Sequence, residues 1–161
     1  MTLRCLVTGA TGYVGGRLVR ELVARGYSVR VLVRSPEKMR DFPWADQIEV
    51  VAGDATNRDD LTRAMENIDV AYYLMHSLQE GSHLEDAETQ MARTFAAAAS
   101  ESSLRRIVYL GGLAPDVPER DMSPHMRSRV RVGQILRASG VPTVEFRAAV
   151  IIGSGSASFE M

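Results

Sequence analysis

At residues 8–15 the chain reads TGATGYVG, and the segments on either side of this stretch have different periodicities. The apolar run at residues 3–8 predicts a short buried strand. Beyond the stretch, Val14, Leu18 and Leu22 recur every four residues, which predicts the apolar face of a helix. A glycine turn that ends a strand and opens a helix is typical of a phosphate-binding turn.

The three glycines of this turn have distinct expected roles. Gly9 permits the tight change of direction, Gly12 has no side chain to hold a pyrophosphate away from the backbone, and Gly15 lets the helix pack closely on the strand. The amides at the start of the helix then receive the phosphates. The alternative is a glycine turn that only reverses the chain. We predict that a dinucleotide binds at Gly9, Thr11, Gly12, Tyr13, Val14 and Gly15.

Strand and helix patterns alternate along the rest of the chain. Helix starts are predicted at Ser35-Pro36 and at Thr56 or Asn57, and longer helices near 84–98 and 123–139. Strands that alternate with helices form a parallel sheet with right-handed crossovers. We predict one α/β domain over residues 1–161, a doubly wound parallel sheet (Rossmann fold) of about six strands in three α/β/α layers. Further strands are expected at 29–33, 48–52, 70–74, 107–110 and from 144 onward.

Composition excludes several classes of protein. With 19 basic and 20 acidic side chains and 45% hydrophobic residues, the chain is an ordinary globular sequence and has no charge excess that favours nucleic acid. No apolar run is long enough to span a membrane, and the start does not resemble a signal peptide. A single cysteine fits a reducing compartment. We therefore predict a cytoplasmic protein with neither a nucleic-acid nor a membrane partner.

The residue after the second strand bears on which dinucleotide binds. An acidic residue there would hold a ribose 2′-hydroxyl, whereas this chain has Arg34. An arginine can form a charge-assisted pair with a 2′-phosphate, so we predict NADP(H), with NADPH preferred and NAD as the other possibility. The alternative is a solvent-facing arginine at a strand end.

Residues after the third and fourth strands lie at the same predicted sheet edge. Asp54, next to Ala55, is expected to accept a hydrogen bond from an adenine amino group, and its alternative is a plain turn or helix-cap aspartate. Leu74, Met75 and His76 follow the fourth strand, where ligands sit in such folds. The alternative for His76 is a loop histidine without a ligand. The three histidines lack metal-ligand spacing, so no metal is predicted.

Taken together, these residues resemble the short-chain dehydrogenase/reductase superfamily in its extended and atypical branches. The similarity rests on the 8–15 turn, Arg34, Gly53-Asp54 and the 137–142 segment, and it is nearest to nucleoside-diphosphate-sugar-epimerase-like and NmrA-like proteins. The resemblance implies an NAD(P)-binding fold and an oxidoreductase activity. It also implies a homodimer through helices of the Ala96–Ala99 region, with packing inside one chain as the alternative.

The catalytic residues of that superfamily are replaced in this chain. Its Tyr and Lys positions fall on His125 and Arg129, and the place of its Ser holds Gly111 or Gly112. His125 and Arg129 are four residues apart and hence share a helical face. A histidine can donate a proton to a carbonyl under reduction, and an arginine can hold the nicotinamide ribose and stabilise oxyanion charge. The alternative is a helix-start histidine and a solvated basic face.

Three interpretations of function therefore remain open at this stage. The first is an NADPH-preferring oxidoreductase domain acting on an unidentified small molecule, with His125 and Arg129 as catalytic residues. The second is a non-catalytic NADP(H)-sensing regulator of the NmrA-like type. The third is the nucleotide-binding half of a longer chain, because members of the superfamily usually continue past the sixth strand into a segment that covers the substrate.

Overall fold

A computed structural model describes residues 2–76, 83–114 and 116–154 of the chain. Its six strands form one all-parallel sheet in the order β3-β2-β1-β4-β5-β6. This is the doubly wound order that the sequence predicts. The elements along the chain are β1 Arg4–Thr8, α1 Tyr13–Ala24, β2 Ser28–Val33, β3 Glu49–Ala52, α2 Arg58–Met65, β4 Val70–Tyr73, α3 His83–Ser100, β5 Arg106–Gly112, α4 Pro124–Arg137 and β6 Thr143–Ala148.

Two separate apolar cores lie on the two faces of the sheet. Alternation along β1 sends Leu6 to one face, and Cys5 and Val7 to the other. Helices α2, α3 and α4 cover the Leu6 face, and α1 covers the opposite face together with the segment that holds Met39 and Trp44. The predicted three-layer arrangement is confirmed among the described residues, and it exposes the carboxyl ends of all six strands along one edge.

Most strands and helices begin and end within two residues of the predicted bounds. The predicted helix start at Ser35-Pro36 opens a short 3-10 helix over Pro36–Asp41. Strand β5 continues through Gly111 and Gly112, which the sequence suggested as its end, because both residues pair with β6. The sixth strand, distant in sequence, supplies the hydrogen bonds that keep these glycines in the sheet.

No helix in the described part of the chain is both long and apolar enough to cross a membrane.

Candidate active site

The glycine turn between β1 and α1 adopts a conformation that only small residues permit. Gly9 has φ +79°, and a Cβ there would lie 2.6 Å from the carbonyl oxygen of Leu74 on the neighbouring strand end. A Cβ on Gly15 would collide with the backbone of Gly9. Gly12 is exposed, and its amide donates to the Gly9 carbonyl at 3.0 Å. Turn, helix and sheet therefore meet too closely for side chains at Gly9 and Gly15.

The start of α1 differs from that of other helices in its hydrogen bonding. Asn57 caps α2 by accepting from the amides of Asp59 and Asp60, and Ser123 caps α4 by accepting from Met126. Gly12 caps α1 with no side-chain hydrogen bond, and the first turn of α1 holds no acidic residue. The first-turn amides of α1 thus remain available to an anion, which a helix N-terminus attracts. These features fit the pyrophosphate of a dinucleotide.

A cleft of about 410 Å³ begins at this turn and runs along the carboxyl edge of the sheet. Nine of the fourteen residues that the sequence assigns to cofactor binding or catalysis line it. They are Gly9, Gly12, Tyr13, Val14, Gly15, Leu74, His76, His125 and Arg129.

A second depression lies on the outer side of the same turn. Thr11 contributes to it together with Gly12 and Tyr13, and Arg17 and Arg20 of α1 complete its basic side. The guanidinium of Arg17 lies 3.6 Å from the centre of the Tyr13 ring. Thr11 therefore lines this second depression and not the main cleft.

The remaining predicted residues follow β2, β3 and β4 outside the main cleft. Arg34 is exposed directly after β2, and Asp54 is half-buried after β3. Ala55 packs at the edge of the core. Met75 is buried among core residues, so its backbone rather than its side chain is left for a cofactor.

Asp54 is held in its ionised form by its neighbours. Its Oδ1 accepts from the backbone amide and from the hydroxyl of Thr56, both at 2.8 Å. The backbone hydrogen bond lowers the pKa of Asp54 most, and the Thr56 hydroxyl and the charge of Arg34 lower it further. Arg34 and Asp54 thus act on each other at the edge where the sequence expects the adenosine.

Arg129 lies at the floor of the cleft and is buried. The residue is 3% exposed, which contradicts the alternative that it belongs to a solvated basic face. Its guanidinium donates to the Leu110 carbonyl at the end of β5 and to His76 Nδ1 at 3.0 Å. It also lies 5.0 Å from the centre of the Tyr109 ring, whose hydroxyl donates to the Arg129 carbonyl at 3.0 Å.

His125 occupies the first turn of α4 and is exposed at the margin of the cleft. At the end of β5, the same cleft leaves little space for a serine side chain. A Cβ on Gly111 would lie 2.6 Å from Glu145 Oε1, and a Cβ on Gly112 would lie 3.1 Å from Met126 Sδ. The local packing therefore favours glycine over the serine that the superfamily has at this place.

Sequence reasoning did not find the far wall of the cleft. Ala148, Ala149 and Ile151, at and beyond the end of β6, form this wall with Leu110. The chain then passes the start of α1, where Arg17 donates to the Ser154 carbonyl at 2.8 Å. The parallel topology could have indicated these wall residues, because the carboxyl end of the sixth strand lies at the same edge of the sheet as the ends of the other five.

No group of three or more His, Cys, Asp or Glu side chains that could hold a metal ion occurs within residues 2–76, 83–114 and 116–154.

Comparison with known proteins agrees with this geometry. A family model described as NAD(P)H-binding matches residues 9–150. The chain belongs to this NAD(P)H-binding family. Among curated relatives, a 4-hydroxy-2-methyl-3-oxo-4-farnesyl-3,4-dihydroquinoline-1-oxide ketoreductase of Stigmatella aurantiaca is 28% identical over 98% of this chain and 53% of its own. The chain thus spans about half the length of this relative.

Solved structures share the fold of this NAD(P)H-binding domain. The Citrobacter sp. triphenylmethane reductase complexed with NADP(H) has a TM-score of 0.75 at 22% identity, covering 92% of this chain and 50% of that one. The Bordetella bronchiseptica enzyme WbmH in complex with NAD+ has a TM-score of 0.80 at 18% identity, covering 99% and 60%. The predicted Rossmann fold and the predicted dinucleotide class are confirmed.

Proposed function

We propose that this NAD(P)H-binding domain serves an NADPH-dependent reductase that converts the carbonyl group of a largely apolar molecule to an alcohol. One observation supports this most strongly: a single cleft joins the glycine turn to His76, His125 and Arg129. Its other walls are apolar at Val14, Leu110 and Ile151, which suits an apolar substrate around a few polar groups.

The name of the relative from Stigmatella aurantiaca also supports the reduction of an apolar ketone. Its name describes a ketoreductase whose substrate has a farnesyl chain beside the oxo group. An apolar ketone of this kind matches the walls of the cleft. The relative is about twice as long as this chain. Where the natural protein is equally long, we expect the rest of it to complete the enclosure of the substrate, with residues 1–161 as its single dinucleotide-binding domain.

In this proposal the cofactor lies along the carboxyl edge of the sheet. The turn at residues 8–15 receives the pyrophosphate, Arg34 the 2′-phosphate, and Asp54 with Ala55 the adenine edge. Leu74, the Met75 backbone and His76 lie toward the nicotinamide. When bound, the cofactor supplies a hydride to the carbonyl carbon. His125, on the first turn of α4, supplies the proton that the new hydroxyl requires.

The test of this function uses the natural full-length protein that contains the chain. We expect tight NADPH binding by calorimetry and NADPH oxidation with aliphatic and aromatic ketones. Small polar keto acids are the matched control and are expected to react with lower kcat/KM, because they gain little from apolar walls. Tight NADPH binding without turnover of any carbonyl would instead favour the NADP(H)-sensing regulator.

Cytoplasmic location and a homodimer stay predictions, to be checked by cell fractionation and by light scattering, respectively.

Replacing Arg34 by alanine is expected to weaken NADPH binding while leaving NADH binding nearly unchanged. A charge-assisted pair with a 2′-phosphate contributes roughly 1.5–3 kcal/mol, or about 10- to 100-fold in Kd. Both Kd values are measured by calorimetry. Arg25→Ala is the matched control. Arg25 is an exposed arginine at the C-terminal end of α1, away from the glycine turn, and it pairs with Glu21. Equal affinity of the wild type for NADH and NADPH would contradict the prediction.

A further inference from the structure

His76 and Arg129 come from distant parts of the chain and meet at the cleft floor. Arg129 Nη1 and His76 Nδ1 are 3.0 Å apart. Arg129 cannot easily move, because it is buried, bonded to the Leu110 carbonyl and placed over the Tyr109 ring. His76 lines the cleft with part of its surface exposed there. A fixed guanidinium therefore holds the ring of a cleft-lining histidine.

The chemistry of this contact determines which ring nitrogen of His76 carries the proton. A guanidinium has five N–H donors, no acceptor, and stays protonated in proteins. Nδ1 must then be the acceptor, so a neutral ring carries its proton on Nε2. Among the residues that the structure describes, the ring makes no other hydrogen bond. The Nε2–H group is thus left for a ligand in the cleft.

Partial burial of the His76 ring, together with the positive charge of Arg129, keeps the ring neutral. Burial lowers its pKa most, Arg129 and His125 of α4 lower it further, and Glu88 of α3 opposes them, with a result of about 4. The ring is therefore neutral above about pH 5, one unit beyond that value. At neutral pH it offers a hydrogen bond without a competing charge.

We propose that His76 is a catalytic residue that donates its Nε2–H to the carbonyl oxygen of the substrate, and that Arg129 is the positioning residue that sets its tautomer. This inference rests on the proposed carbonyl reduction. As the hydride arrives, the π electron pair of the C=O bond moves onto oxygen. His76 stabilises that negative charge, as neutral imidazoles can in enzymes. The proton from His125 then completes the alcohol.

The state of the ring can be measured without substrate or cofactor. Two-dimensional NMR of ¹⁵N-histidine-labelled protein distinguishes the two tautomers and follows each ring through a pH titration. His83→Gln and His125→Gln variants assign the signals. We expect His76 to be the neutral Nε2–H tautomer at pH 7, and to gain its second proton only as the pH falls to about 4. An Nδ1–H tautomer, or protonation of His76 near the ordinary histidine pKa, would overturn the proposal.

Two arginine variants separate the role of Arg129 from a general effect of charge. Arg129→Leu is expected to raise the pKa of His76 and to mix its tautomers. Arg131→Leu removes the same charge from the same helix at an exposed position that pairs with Glu119, and is expected to leave the ring unchanged. Should Arg129→Leu fail to fold, the wild-type tautomer alone decides the outcome.

Two histidine variants test the catalytic part in the full-length protein. His76→Phe is expected to lose about 10²–10³ in kcat, as removal of one oxyanion donor does, with little change in the Kd of NADPH. His76→Gln keeps an N–H donor and is expected to recover part of this loss. If the wild type reduces ketones and His76→Phe is equally fast, the inference fails while the proposed function stands. If the wild type reduces no carbonyl, the proposed function fails and the catalytic role of His76 fails with it.

Discussion

Replacing Gly12 by valine is expected to weaken NADPH binding by at least about 100-fold, or about 2.8 kcal/mol. Gly12 is exposed at the start of α1, where the first-turn amides have no side-chain partner. A branched side chain there would occupy the space through which a pyrophosphate approaches these amides. The Kd is measured by calorimetry or by nicotinamide fluorescence.

The Gly12 variant should fold, which makes its binding defect interpretable. A Cβ at Gly12 would meet only the Gly9 carbonyl oxygen, at 3.3 Å, and the backbone φ of −78° suits any residue. Ala24→Val adds similar bulk at the exposed far end of the same helix and is the matched control. Gly12→Ala should give an intermediate Kd. Equal NADPH affinity of the wild type and Gly12→Val would contradict the assignment of this turn as the dinucleotide-binding site.

Replacing His125 by alanine is expected to reduce ketone turnover by about 10²–10⁴, the usual contribution of a general acid. His125 lines the margin of the cleft on the first turn of α4 and is free to reach a substrate there. The measurement is kcat of the wild type and of His125→Ala with NADPH and a ketone substrate.

The control for His125 lies on the same helix. Arg131→Ala removes an exposed side chain on α4 and should leave kcat unchanged. A solvent-exposed histidine without a catalytic role would likewise cost almost nothing when removed. Undiminished turnover of His125→Ala would therefore end its assignment as the proton donor and would leave solvent as the proton source.

The fold could be predicted because its signals are local. Each strand and helix of the sheet has its own apolar pattern, and the glycine turn identifies β1 and α1 as a phosphate-binding pair. Arg30 is the exception within β2. It is 8% exposed in a strand that should hold apolar residues, and it donates to the carbonyls of Ala64 and Glu66, both at 2.9 Å. Periodicity alone cannot foresee such a buried charge, because its partners lie at the end of a distant helix.

The site could be predicted only in part. Residues that act together within one turn were assigned correctly from their spacing, whereas properties that depend on distant parts of the chain were not. Gly9, Gly12 and Gly15 act within one turn, so their spacing was enough to assign them. His125 and Arg129 share a helical face by spacing, yet only the structure shows that one is exposed and the other buried.

Short-range pattern therefore accounts for the individual strands and helices, the glycine turn and the class of cofactor, since each depends on residues that are close together along the chain. The contact of Arg129 with His76, and with it the tautomer of the ring, was decided only by tertiary structure. These two residues are 53 positions apart. Packing of α4 against β5, which lies beside β4 in the sheet, brings them together, and no local propensity encodes the distance between two nitrogen atoms.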